Sequence, residues 1–160
     1  MEMDVHDGWI GKNFPNFNLI NDYGELLKLS DIKGQWSVLF FYPKDGSPGC
    51  TIESCAFRDR YDEIVEAGGN LYGISSDSMQ THQNFRKKHN LQYTLLTDSK
   101  SQLVRKMKLK RTFGILRTRV TFIVDPEGIV RGVVTSQFNP YKHIEYSLKI
   151  LMSKDEQIIH

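Results

Sequence analysis

The chain has 160 residues, 39% hydrophobic and 25% charged, with a formal net charge of +2. That length suits one domain over residues 1–160 with a core that needs no cross-links, and the composition excludes a disordered chain. So small a charge gives no reason to expect a nucleic-acid or membrane partner. The opening Met1-Glu2-Met3-Asp4 is acidic and leads into no apolar stretch, and the apolar run at 38–42 is far too short to cross a bilayer. A cytoplasmic protein without a signal peptide is expected.

Taken in chain order, residues 16–20 and 25–29 read as a hairpin around the turn formers Asn21-Asp22-Tyr23-Gly24, followed by a short turn at 30–34. Residues 37–42 are nearly all apolar and predict a buried central strand. A helix is expected over 48–66, stopped by Gly68-Gly69, then an inner strand at 70–75. Asp77 or Ser78 opens a polar helix to about Asn90, and 92–97 is a short strand. Asp98-Ser99 caps a helix at 100–108. Residues 119–124 and 129–135 form a second hairpin, and Asn139-Pro140 starts a last helix to about Ser153. The alternation of strands and helices implies parallel pairing with right-handed crossovers, and the late hairpin adds an antiparallel edge. The expected fold is α/β and thioredoxin-like: a central mixed β-sheet flanked by helices, with an extra N-terminal β-hairpin.

The two cysteines, Cys50 and Cys55, are too few for a disulfide framework or a four-sulfur zinc site. His6, His82, His89, His143 and His160 are scattered without ligand-like spacing, so no metal site is expected; His82 and His89 are expected to be solvated on a polar helix. Redox or nucleophilic chemistry remains, or a structural role for both thiols.

With Ser47 as N-cap and Pro48 as the first helical residue, Cys50 falls in the first turn of a helix that follows the central strand. Unpaired backbone N–H groups and the positive end of the helix dipole favour a thiolate there, which makes a reactive nucleophile. On residue types alone, a buried inert cysteine is the competing reading.

The run Tyr42-Pro43-Lys44-Asp45-Gly46-Ser47-Pro48-Gly49-Cys50-Thr51 tips the balance. Pro43, Ser47 and Cys50 fit the peroxiredoxin signature Pro-x-x-x-(Thr/Ser)-x-x-Cys, and nearly the whole chain resembles the peroxiredoxin Q, or bacterioferritin-comigratory, subfamily. Those proteins typically carry Tyr-Pro-Lys-Asp-x-Thr-Pro-Gly-Cys-Thr with a second cysteine where Cys55 stands. Ser47 departs from the usual threonine; it keeps the hydroxyl but loses the methyl that stiffens χ1. The resemblance implies a thiol peroxidase serving antioxidant defence, with Cys50 attacking hydrogen peroxide or organic hydroperoxides. It also implies that Cys55 resolves the sulfenate as an intramolecular disulfide and that a thioredoxin-like dithiol reductant restores both thiols, with no cofactor. Ser47 and Arg119 would polarise the O–O bond and Pro43 would shield the sulfenate. Arg119 matches the family's distant arginine by its context before the apolar strand, with Arg117 the nearby competitor. Glu53, three residues after Cys50, would orient Arg119 or be a plain surface carboxylate.

Geometry resists the disulfide. Five residues along a helix separate two Cα atoms by ~8.6 Å, whereas a disulfide needs less than about 7 Å. The first helical turns are therefore expected to unwind after oxidation, with Gly46 and Gly49 easing the change. A buried Cys55 resolved by an external thiol is the alternative.

Arg105, Lys106, Lys108, Lys110 and Arg111 read as a solvated basic face, or as a site for an acidic reductase. Phe113, Phe138, Tyr141 and Tyr42 are candidates for a pocket for alkyl peroxides, or for core. A monomer or weak dimer is expected. The rival functions are a protein thiol-disulfide oxidoreductase, whose usual Cys-x-x-Cys is not the spacing here, and a non-enzymatic redox sensor.

Overall fold

The computed structural model describes residues 5–109, 111–112, 115–116, 119–136 and 139–159, and the side chains of these except 111–112, 115–116 and 154–159. Strands β1 (Asn18–Asn21) and β2 (Leu26–Lys28) pair antiparallel as the expected hairpin. The Asn21 side chain sets the turn, accepting from the backbone N–H groups of Tyr23 and Glu25 at 3.0 and 2.8 Å. A four-residue helix, α1 (Leu29–Ile32), replaces the expected simple turn, because Leu29 and Ile32 bury one face of it.

Strand β3 (Trp36–Phe41) leads through a loop into α2 (Pro48–Asp59) and α3 (Tyr61–Glu66). The sequence reads these two helices as one; the chain leaves helical geometry at Arg60, with φ −116° and ψ 15°. Arg60 is held there by ion pairs to Glu63 and Glu145, and α3 turns onto β4 (Gly69–Ser75). Helix α4 (Met79–His89) begins on Ser78, whose hydroxyl accepts from Thr81 N–H, and ends on left-handed Asn90.

After β5 (Thr94–Thr97) comes a single 3-10 turn, then α5 (Gln102–Lys106). This helix starts later than expected, since Lys100 and Ser101 have positive φ, and the Asp98 carboxylate reaches past them to the N–H groups of Leu103 and Val104. The two-residue strands β6 (Arg111–Thr112) and β7 (Ile115–Leu116) were not anticipated. Strands β8 (Val120–Val124) and β9 (Val130–Thr135) form the second hairpin, and α6 (Pro140–Ile159) outlasts its expected end at Ser153.

Seven strands make one sheet in the order β2-β1-β5-β4-β3-β8-β9. Strands β3, β4 and β5 run parallel, while β1 joins β5 and β8 joins β3 antiparallel. Side-chain alternation splits the core between the two faces. From β3 and the residue after it, Leu39 and Phe41 join the cluster with α1 and α5, whereas Val38, Phe40 and Tyr42 join the one with α2, α3 and α6. That second face carries Cys50.

Candidate active site

Ser47 is the N-cap of α2 with an extended backbone (φ −69°, ψ 147°), and Pro48 occupies the first turn, where a missing N–H costs nothing. Cys50 therefore stands where backbone N–H groups lack helical partners. Its side chain is fully buried and its thiol is free.

The arginine arrives by strand period. Along β8, Val120, Phe122 and Val124 face the α1–α5 side, and Ile123 faces the other. Arg119, in register with Thr121 and Ile123, projects onto the Cys50 face, and its Nη2 donates to Cys50 Sγ at 3.4 Å. Gly49 makes room: a Cβ there would collide with Nη2 and lie 3.1 Å from Cζ. A cationic fork against sulfur is suited to holding a thiolate and to stabilising charge on a peroxide. Arg117, the competitor, lies outside the described residues.

Glu53 sits one turn beyond Cys50 and is 0% exposed, which removes the surface-carboxylate reading. Its Oε2 lies 3.4 Å from His143 Nε2. That nitrogen donates to the Ser136 carbonyl at 2.9 Å, and among the described residues neither Glu53 oxygen has a hydrogen bond. Burial pushes the Glu53 carboxyl from 4.5 up to about 8, against the pull of Arg119. Ser47 is half-buried, and its hydroxyl donates to the Lys44 carbonyl at 3.2 Å rather than to Cys50. Pro43 is half-buried in the same loop.

Cys55 is half-exposed and free on an unbroken α2; with Ile52 53% exposed on one side and Ala56 buried on the other, it stands at the edge of the core. Tyr93 anchors the helix near it, donating from its hydroxyl to the Ser54 carbonyl at 2.8 Å.

One expectation changes, and one alternative is decided. His82, expected in solvent, is 0% exposed, because it shares the inner face of α4 with Phe85 and meets Asp45 at 2.6 Å. Tyr42 belongs to the core: its ring stacks on Phe40 and its hydroxyl donates to Asp45 at 2.5 Å. Burial and the Asp45 carboxylate hold that hydroxyl well above its ordinary pKa, so it stays a donor. Tyr141 is exposed, and Phe113 and Phe138 lie outside the described residues. Arg105, Lys106 and Lys108 are exposed, as a solvated face requires, while Lys110 and the Arg111 side chain lie outside the description. His89 is half-buried against Phe85; His160 lies outside the described residues. The residues missed by the sequence reading are Asp45 and His143 as well as His82. Asp45 stands inside the quoted motif, and the three-residue step from His82 to Phe85 was the signal for an inward-facing histidine.

A buried thiol in the first turn of a helix, faced by an arginine from a neighbouring strand, defines a family, and the comparisons agree. The chain belongs to the AhpC/TSA family, whose model matches residues 10–133. Within it, the chain is similar to proteins of the peroxiredoxin Q and bacterioferritin comigratory group. It is 41% identical over 144 residues to the chloroplastic peroxiredoxin Q of Oryza sativa subsp. japonica, covering 89% of this chain and 66% of the rice protein. The chain thus spans just under two thirds of that relative. The structure of peroxidoxin BcpB from Mycobacterium tuberculosis superposes with a TM-score of 0.84 at 31% identity, covering 91% of this chain and 97% of that one. A Xanthomonas campestris bacterioferritin comigratory protein, solved in intermediate and ligand complexes bearing on its alkyl peroxide reduction activity, matches at TM-score 0.77 and 30% identity, covering 86% and 90%. Among the described residues, no helix is long and apolar enough to cross a membrane.

Proposed function

We propose that the chain is a thiol peroxidase that reduces hydrogen peroxide and organic hydroperoxides with Cys50. The observation that carries this reading is the 3.4 Å approach of Arg119 Nη2 to the buried sulfur of Cys50. The Cys50 thiolate attacks the distal peroxide oxygen, the O–O bond breaks, and the departing alkoxide or hydroxide takes a proton to leave as alcohol or water. Arg119 and the helix N–H groups stabilise the charge that passes from sulfur to oxygen. The Ser47 hydroxyl, released from Lys44 by a rotamer change, donates to the bound peroxide, and Pro43 screens the sulfenate from water. Glu53, which Arg119 reaches electrostatically, helps to orient it. Alkyl peroxides are included because the Xanthomonas relative acts on them.

Cys55 then attacks the Cys50 sulfenic acid, forming the disulfide and releasing water, and a thioredoxin-like dithiol reductant returns both thiols. The continuous α2 between the two residues supports a cycle in which the first turns unwind before that bond forms. A cytoplasmic location belongs to the same proposal; the rice relative is chloroplastic.

Peroxide consumption coupled to a thioredoxin system tests the reading. Cys50→Ser is expected to abolish turnover, and Arg119→Ala to slow Cys50 oxidation by about 100-fold or more. Cys55→Ser is expected to lose turnover with thioredoxin while keeping it with small thiols. Full turnover by Cys50→Ser would exclude this mechanism.

A further inference from the structure

Five residues before Cys50, the loop from β3 to α2 carries a buried acid with no part in the chemistry above. Asp45 Oδ1 accepts from the Tyr42 hydroxyl at 2.5 Å, Oδ2 lies 2.6 Å from His82 Nδ1, and the Asp45 backbone N–H donates to Asp77 Oδ2 at 2.7 Å. The Ser75 hydroxyl donates to that same Asp77 oxygen at 2.7 Å. The other His82 nitrogen, Nε2, stands 3.1 Å from the Leu96 carbonyl.

A carbonyl oxygen only accepts, so His82 Nε2 carries a hydrogen. A second proton must lie between Nδ1 and Asp45 Oδ2, or two lone pairs would face each other at 2.6 Å. With Tyr42 donating to the other oxygen, Asp45 and His82 share one proton across a short, buried contact, and every polar atom of the pair is engaged. Asp45, Asp77 and His82 also bring ligand-type atoms within 4.8 Å of one another. Both His82 nitrogens are already engaged, however, and nothing there points to an ion.

The partners of Asp45 come from the end of β3, the segment after β4, and α4, with β5 behind His82. The loop is therefore tied down at Asp45, and the next residue, Gly46, has φ +81°, open to a glycine hinge.

We propose that His82 is a positioning residue for the peroxidase reaction: through Asp45 it fixes the loop that presents Cys50 to peroxide, and it makes Gly46 the upstream limit of helix unwinding. This inference rests on the peroxidase reading above. Oxidation requires the first turn of α2 folded, whereas disulfide formation requires it unwound. Loosening the tether thus moves the two steps in opposite directions. A residue that merely supported the fold would not separate them.

Stopped-flow kinetics on reduced wild type, His82→Leu and Asp45→Asn would measure Cys50 oxidation and disulfide formation separately, with mass spectrometry for Cys50 sulfinic acid at high peroxide. Both variants are expected to oxidise about tenfold more slowly, the scale of a small misplacement at a reactive group. Their disulfide formation should match or exceed the wild-type rate, and their sulfinic fraction should fall. Unchanged oxidation, or both steps slowed together, overturns the proposal. Hydrogen exchange on the wild-type disulfide form tests it even if neither variant folds. Residues 47–55 should lose protection while the Asp45 amide, bound to Asp77, keeps it; loss at Asp45 overturns the proposal. A wild type that consumes no peroxide would instead refute the peroxidase reading itself.

Discussion

Two buried carboxyl groups flank Cys50, and they are treated in opposite ways. Asp45, on the loop before the helix, has donors on both oxygens, from Tyr42 and His82. Glu53, one turn after Cys50, is buried more completely still, and among the described residues neither of its oxygens has a hydrogen bond. Burying a charge is costly unless it is paired and hydrogen-bonded. Asp45 meets that condition and can serve as a fixed anchor. Glu53 does not, and burial moves its ionisation to about 8, so near neutral pH it is largely protonated. A largely neutral Glu53 draws little of the Arg119 charge away from the sulfur.

The largest expected effect comes from breaking the anchor. His82→Leu leaves Asp45 Oδ2 buried without its partner and should lower unfolding free energy by about 3–5 kcal/mol, as breaking a buried pair does, read from urea midpoints. The double replacement Asp45→Leu/His82→Leu should recover most of that loss, because removing both buried polar groups removes their desolvation penalty too. If the double variant is no more stable than His82→Leu, the buried Asp45 carboxyl was not what the histidine compensated.

How far these features were legible in the sequence depends on the range of the forces involved. The buried strand β3, the hairpin turn at Asn21 and the placement of Cys50 in the first turn of α2 follow from local residue patterns. The break at Arg60 does not, because one of its ion pairs reaches Glu145, on the last helix. His82 looked like one more polar residue on a polar helix; its partner Asp45 is 37 residues away and meets it only once the sheet has formed. Strands β6 and β7 are two residues each, too short to show any alternation. Helix α6 runs past Ser153 because neither glycine nor proline follows it there. Arg119 was nameable from its sequence context, but its reach to sulfur depends on Gly49 leaving the space open.

The second prediction tests the acid that lacks a hydrogen bond. The Glu53 carboxyl titrates near 4.5 when unfolded and about 8 when folded, so the folded state holds a proton that the unfolded state releases between those values. Stability should therefore fall as pH rises from about 4.5 to 8 and level off above, by on the order of 3–5 kcal/mol. In Glu53→Gln that slope should vanish, leaving the variant progressively more stable than wild type across the same window. Parallel pH curves for the two proteins would mean that Glu53 finds a partner that keeps it ionised, and the contrast with Asp45 would collapse.

The smallest effect makes Asp45 slightly more like Glu53. Tyr42→Phe keeps the ring stacked on Phe40, with centroids 5.4 Å apart, and removes only the hydroxyl that donates to Asp45 Oδ1. Depriving a buried carboxylate of one donor should cost about 1–2 kcal/mol, with no change in the urea m-value because the exposed area is the same. The loss should shrink in a His82→Leu background if both donors stabilise one and the same carboxylate geometry, since the first substitution has already released it. Strict additivity would mean that the tyrosine and the histidine hold the loop independently. The tether before Cys50 would then be two separate restraints on one residue, and loosening either would free only part of the helix entrance.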